Sequence, residues 1–216
     1  GEKNYLICAK LIGLCDNDVQ KNAVMAGFEK AFEGGSLPSL PNELIEAIRN
    51  TGTVSLLLRV RQLDPAAIKE ASEKIASKKV PMKDRINYVR AFGEIDDNSV
   101  LQSLLGIISG PVAPVIRKAS INACQRFNDD EISKVIIDSY KLMIDDTKLT
   151  AQKILSSRLN WSREWMRAID QQKIEANNIS EEAVAGLRRH NDEDMNKIIK
   201  KHFGDKISNK KSLFEN

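Results

Sequence analysis

No apolar run in this sequence approaches the roughly 20 residues that a bilayer-crossing helix needs, so membrane insertion is not expected. Cysteine is scarce. Cys8, Cys15 and Cys124 are the only three, which excludes a disulfide-dense mini-domain and leaves at least one thiol unpaired within the chain. Cys8 and Cys15 stand two turns apart on a helix, roughly 10 Å along its axis, beyond disulfide reach. The cysteines therefore read as small apolar core residues and reveal no redox compartment. With 11 Gly and 6 Pro in 216 residues, a collagen-like chain is excluded. Neither sign of charge dominates: Lys+Arg 33 against Asp+Glu 30 leaves +3, too little to mark a dedicated nucleic-acid binder. A signal peptide is also missing, since Gly1-Glu2-Lys3-Asn4 runs straight into an amphipathic segment. The start at Gly1 is expected to be a trim from a longer parent, so it says nothing about export of that parent.

Catalytic and metal motifs are missing too. There is no Cys-x-x-Cys, His-Glu-x-x-His or Cys-x-x-Cys-His, and no Gly-x-Ser-x-Gly. Gly34-Gly35 lacks the spacing and the following lysine of a phosphate loop. The two histidines, His190 and His202, fall at predicted helix ends, where the helix dipole favours imidazole; that explanation is preferred to metal ligation. The carboxylate pairs Asp96-Asp97, Asp129-Asp130 and Asp145-Asp146 invite an acid–base interpretation, but they sit at turns where capping accounts for them. Glu29 and Glu33 read as a solvated helix face. The expectation is of no catalytic, cofactor-binding or metal-binding residue and no enzyme activity in this segment.

What is there is helical periodicity. Apolar residues recur at helical spacing nearly everywhere, with no convincing period-2 strand. Leu6, Ile7, Cys8, Leu11, Ile12 and Leu14 predict a first helix, and Asp16-Asn17-Asp18 can cap a second, about 19–32. Gly34 to Pro41 is the clearest break. Asn42 or Pro41 then opens a helix through Ile48. Further helices are predicted at about 53–62, 65–78, 82–94, 97–109, 112–127, 129–145, 147–158, 161–173, 180–190 and 192–203. Superposed on this is a self-similarity at an offset of 32 residues. Leu57, Val89 and Ile121 correspond, then Val60, Phe92 and Cys124, then Leu63, Ile95 and Phe127. Asp64, Asp96 and Asn128 follow, and Ile68, Val100 and Ile132 after them; Arg85 and Arg117 match as well. The apolar stripe forms one buried helix face, and the Asp/Asn position closes the turn and caps the next helix. An earlier copy runs through Cys8, Leu11, Leu14 and Val19, mirroring Val89, Phe92, Ile95 and Val100. After Phe127 the pattern fades. Each two-helix unit exposes an apolar face that a neighbouring unit covers, so the units are expected to stack. This predicts an all-α fold: a HEAT-like α-solenoid of antiparallel helix pairs over 1–204, read as one domain, with a basic linker or tail over 205–216. The period is shorter than the usual HEAT repeat of about 40, which leaves armadillo, tetratricopeptide and HEAT types open.

Two surface features follow. The tail from Lys197 is basic, with Lys200, Lys201, Lys206, Lys210 and Lys211, but lacks interleaved aromatics that stack bases. Trp161 and Trp165 share one helical face; they either pack between helices or, with Arg188 and Arg189, form a candidate interaction surface.

The last third carries a family resemblance. Ser156-Ser157-Arg158-Leu159-Asn160-Trp161 is followed by Ile169-Asp170, Lys173-Ile174 and Ile179-Ser180, then Leu187-Arg188-Arg189-His190-Asn191-Asp192, Ile198-Ile199 and Phe203-Gly204. This order resembles the helical-repeat region of large exported bacterial proteins of planctomycetes, verrucomicrobia and related groups. In those proteins a sugar-dehydrogenase-like β-propeller precedes the HEAT-like segment, and a c-type cytochrome module with Cys-x-x-Cys-His follows it. The family's arginine–proline–tryptophan step stands here as Arg158-Leu159-Asn160-Trp161, and its closing tryptophan–glycine as Phe203-Gly204. The resemblance implies a periplasmic or otherwise exported parent and a non-catalytic spacer between the two modules. It implies haem c only in a downstream cytochrome module, and as partners the neighbouring domains of the parent or another protein. Two other functions are weighed. A HEAT-like nucleic-acid-binding or base-processing protein needs a positive groove, and the basic residues here stand beside acids, as in Lys69-Glu70 and Arg163-Glu164. A tetrapyrrole-handling lyase has no residue to recommend it.

Overall fold

Helix starts in this chain are written by short polar side chains. Asn17 Oδ1 accepts from the Gln20 amide at 3.0 Å, and Ser55 Oγ from Leu58 at 3.2 Å. Asp64, Asp129, Ser180 and Asp192 accept in the same way from the first turns they precede, each satisfying an amide that has no partner inside the helix. The structure, a computed structural model, describes residues 2–31, 40–50, 55–95 and 98–204. Among these the chain is all-helical, without a strand. The α-helices are α1 (Glu2–Gly13), α2 (Asp18–Ala31), α3 (Asn42–Arg49), α4 (Leu56–Arg61), α5 (Pro65–Ala76), α6 (Met82–Glu94) and α7 (Leu101–Ser109). They continue with α8 (Pro114–Ala123), α9 (Asp130–Asp138), α10 (Asp145–Leu155), α11 (Leu159–Asp170), α12 (Glu181–Arg188) and α13 (Glu193–Phe203). Most of the Gly34–Pro41 break, Glu33, the Asp96-Asp97 pair and the basic tail 205–216 lie outside the described residues.

Three details of the predicted helices need correction. The helix predicted over 129–145 is interrupted at Ser139, with α9 ending at Asp138 and a separate 3-10 turn at Tyr140–Leu142. Asp145 and Asp146 do not cap: Ile144 holds the N-cap position with no side-chain bond, and Asp146 instead receives Lys118 Nζ at 2.7 Å. Asn128 does not cap either; the neighbouring Asp129 does, while Asn128 Oδ1 accepts from Arg158 Nη1 at 2.8 Å.

Backbone contacts divide the chain into two compact units, Gly1–Ser103 and Leu104–Asn216. In the first, α1 packs against α2 and α3, and α4, α5 and α6 pack against one another. Ile12, Met25, Phe28, Leu44, Ile48 and Leu58 form a buried cluster, with Tyr5, Cys8 and Val24 against its edge. The earlier repeat copy fails here. Leu11, Leu14 and Val19 are 48%, 75% and 78% exposed, whereas Phe92, Ile95 and Val100 are buried. The inward stripe of α1 runs Tyr5, Cys8 and Ile12, and Leu11 lies about 100° round the helix from Ile12. Leu63 also departs from its repeat equivalents. It adopts φ 61° and is 44% exposed, because the amide of Leu63 bonds the Val60 carbonyl and that of Asp64 the Arg59 carbonyl in a left-handed helix end. Ile95 and Phe127 leave their helices in the extended conformation and turn inward.

In the second unit, α8 packs against α10 and α10 against α12, while α9 packs against α11 and α11 against α13. Side chains tie elements about one repeat apart. Trp161 Nε1 donates to the Asp129 carbonyl at 3.1 Å, and Arg163 Nη2 reaches Asp192 at 2.5 Å. The matched arginines do the same work in each unit. Arg85 and Arg117 are buried, and their Nε atoms donate to the Ile75 and Ile108 carbonyls at 2.7 and 2.8 Å. Each guanidinium thus satisfies the open C-terminal end of the preceding helix, where the dipole favours a cation.

Candidate functional site

The residues singled out from the sequence do not form a shared surface. Trp161 and Trp165 are buried, at 1% and 0% exposure, which corrects their assignment to an interaction surface. They pack as core, the alternative their helical spacing left open. Arg158 lies over the Trp161 ring, 4.7 Å from its centroid, and donates Nη2 to the Gln125 carbonyl at 2.9 Å. The Arg158-to-Trp161 stretch is therefore a clamp on the turn before α9. Arg188, half-buried, donates to the Gly204 carbonyl at 2.7 Å. Arg189 alone of the four is exposed and lines a cleft.

Both histidines are engaged by the protein. His190 Nε2 lies 2.9 Å from the Ser156 carbonyl oxygen, joining the end of α12 to the end of α10. His202 Nε2 lies 2.9 Å from Asp170 Oδ1, which also receives Lys201 Nζ at 2.6 Å. Lys201 first, and then His202, hold the Asp170 carboxyl below its ordinary range. Neither histidine lines the α10–α12 or the α11–α13 cleft. Among the described residues no group of three or more His, Cys, Asp and Glu is placed to hold a metal ion. Cys124 is fully buried and burial pushes its thiol up to about 12, so it stays protonated and unreactive. Cys8 and Cys15 are free thiols, half-buried.

Among the described residues, clefts open in the second unit at α11–α13 and at α10–α12. The smaller, about 170 Å³, lies between α11 and α13 and is bridged by the Arg163–Asp192 pair. Hydrogen bonds from the Met195 amide and then from Arg163 depress the Asp192 pKa. The larger is about 440 Å³ and runs between α10 and α12. Asp146, Leu149, Thr150 and Lys153 line it from one face of α10, at the three- and four-residue steps that share a helix side. Ser180, Glu182, Ala183 and Arg189 line it from the α12 side, with Gln125, Ser156 and Ser157 at its margin.

Its walls are pinned at both ends. The buried Gln152 donates Nε2 to the Tyr140 hydroxyl and the Asn178 carbonyl, at 2.8 and 2.7 Å, and accepts from the Ser180 amide at 2.9 Å. At the other end Gly186 lets α12 approach α10 closely: a Cβ there would meet Ser156 Oγ at 3.0 Å and its Cβ at 3.1 Å. The hydroxyls of Thr150, Ser156 and Ser157 donate to carbonyls of their own chain segment, so they present lone pairs to whatever enters. No group of residues pointed to this cleft beforehand; the mid-helix Gly186 and the polar row on α10 were its only signals in the sequence. Comparison of the chain with protein-family models, curated proteins and solved structures finds no match.

Proposed function

We propose that this chain is a non-catalytic helical-repeat scaffold, a HEAT-like solenoid of stacked helix pairs that holds other protein segments on its surface. The observation that carries the proposal is the alternation in the second unit. Each helix from α8 to α11 packs against the helix after next, α8 on α10 on α12 and α9 on α11 on α13. That is the neighbour pattern of stacked hairpins, in which each pair covers the apolar face of the one before. Side-chain bonds between neighbouring pairs, such as Trp161 to Asp129 and Arg163 to Asp192, repeat the same step. A rigid stack of this kind sets distance and orientation between the modules it joins. With the family resemblance, this extends to a spacer between a dehydrogenase-like β-propeller and a c-type cytochrome module of an exported parent.

A protein partner is favoured over nucleic acid by the charge pairing. Lys118, Arg163, Arg167, Lys197 and Lys201 each meet a carboxylate, which leaves no continuous positive track among them for phosphates to follow. Two measurements test the proposal. In native-state hydrogen exchange, Trp161→Ala is expected to lower protection in α9 and α13 as well as in α11, because stacked units share their stability; a loss confined to α11 would refute the stack. The coding sequence on either side is expected to encode a propeller before and a Cys-x-x-Cys-His module after; neither being there removes the spacer role.

A further inference from the structure

We infer that the cleft between α10 and α12 is a docking groove for an extended protein segment that carries a carboxylate side chain next to an aliphatic one. This deepens the scaffold reading of the same unit and rests on it. The argument is charge complementarity on a fixed frame. Lys153 and Arg189 both line the groove, and neither has a carboxylate within ion-pair distance among the described residues. Among the described residues Lys134, Lys141 and Lys173 have no ion pair either, but Lys153 and Arg189 are the cations that line the groove. They sit toward the end where Gly186 brings α12 against Ser156.

The other contents of the groove narrow the ligand. Leu149 lines it and is 54% exposed, offering an apolar contact one turn before Lys153. The hydroxyl oxygens of Thr150, Ser156 and Ser157 have their protons committed to carbonyls and accept from peptide N–H groups. Asp146 faces the groove but is occupied by both of its hydrogen bonds from Lys118 Nζ. Glu182 also faces it and carries no such partner among the described residues. A polyacidic strand therefore meets repulsion there, and a single carboxylate placed at Lys153 and Arg189 does not. At about 440 Å³ the space suits three or four residues of an extended chain. The Gln152 bridge and the Gly186 contact hold the two walls, so little ordering accompanies binding.

The test is a titration of the isotope-labelled full chain, followed by amide chemical shifts. The probe is Ac-Ser-Leu-Glu-Ser-NH2, and Ac-Ser-Leu-Gln-Ser-NH2 is its neutral twin. Saturable shifts are expected at Ser157, Ala183, Gly186 and Arg189, with the neutral peptide about three- to fivefold weaker, as exposed ion pairs allow. Lys153→Gln and Arg189→Gln, both at exposed positions, are expected to weaken the acidic peptide by a similar factor. Glu182→Gln is expected to strengthen it about twofold, a gain that a merely structural role does not produce. Equal binding of the two peptides, shifts centred elsewhere, or no saturable shift overturns the inference. Each of those results leaves the scaffold proposal standing, because that proposal is judged by the spread of exchange protection from Trp161→Ala.

Discussion

Replacing Arg117 by Met asks whether a buried guanidinium closes the end of α7. Met keeps the aliphatic stem and removes only the donors. Three carbonyls then lose the Arg117 donor, Ile108 at 2.8 Å, Gly110 at 2.7 Å and Leu142 at 3.1 Å, and of these Gly110 keeps the Val112 amide at 2.9 Å. They are not equivalent. Ile108 is fully buried while Leu142 is 60% exposed, so water replaces the bond at Leu142 and not at Ile108. An unmet buried carbonyl costs about 1–3 kcal/mol, and each re-solvated one about 0.5–1.5 kcal/mol. Relief from burying the cation offsets part of this, and a net loss of about 2–3 kcal/mol is expected. Urea unfolding followed by tryptophan fluorescence reports it directly, since Trp161 and Trp165, the only two tryptophans, both lie in the same unit on α11. Arg117→Lys supplies one compact ammonium in place of a planar fork and is expected to recover less than half of the loss. Arg85→Met, which breaks the bond to the Ile75 carbonyl rather than three bonds, is expected to cost less, about 1–2 kcal/mol by the same reckoning. A Met variant within 0.5 kcal/mol of the parent (about the error of such measurements), or a Lys variant as stable as Arg, refutes the capping role.

Acid stability and thiol reactivity follow from other groups. The Asp170 carboxyl is held below its ordinary 3.8 by Lys201 and then His202; a depressed folded pKa adds stability above the unfolded value and loses it as pH falls through the folded one. Asp170→Asn is therefore expected to flatten the decline of the urea midpoint below about pH 4 and to leave a small deficit at neutral pH, removed by salt; an unchanged acid slope contradicts the contact. Cys124, with its thiol pushed up to about 12 by burial, is expected to resist a thiol reagent at pH 8 until urea unfolds the chain, while Cys8 and Cys15 label first; three equal fast labels count against its burial.

The helices were legible because each signal is local. A helix needs an apolar stripe at three- and four-residue steps and a polar residue in front of it, and both are visible within one segment. The misassigned cap at Asn128 is instructive: Asn and Asp are equally good there, and what decides for Asp129 is Arg158, which takes the Asn128 amide from the next helix pair. The pairing of charges misled for a related reason. Adjacent Arg163-Glu164 side chains do not face each other on a helix; Arg163 reaches Asp192, and Glu164 takes Arg167 one turn on. The α10–α12 groove left only two local traces, the mid-helix Gly186 and the polar row on α10. Lys153, Glu182 and Arg189 look like any solvated helix face until tertiary packing sets α12 beside α10.

The failed repeat copy at the N-terminus gives the sharpest contrast between periodicity and packing. By register Leu11 matches Phe92 and Leu14 matches Ile95, and pattern alone assigns both members of each pair to the core. The structure buries Phe92 completely and leaves Leu14 75% exposed. Burial, not register, fixes the penalty for an inserted charge: an uncompensated carboxylate in the core costs several kcal/mol, near the whole stability of a domain. In water the same group costs nothing of that kind, and an exposed helical surface position changes stability by roughly 0.5 kcal/mol or less. Phe92→Asp is therefore expected to unfold the first unit, with loss of helical circular dichroism, while Leu14→Asp melts as the parent does. Ile95→Asp belongs with Phe92 and Leu11→Asp with Leu14, so four variants separate the two explanations. If Leu14→Asp unfolds the chain as Phe92→Asp does, the register was right and Tyr5, Cys8 and Ile12 are not the inward stripe of α1.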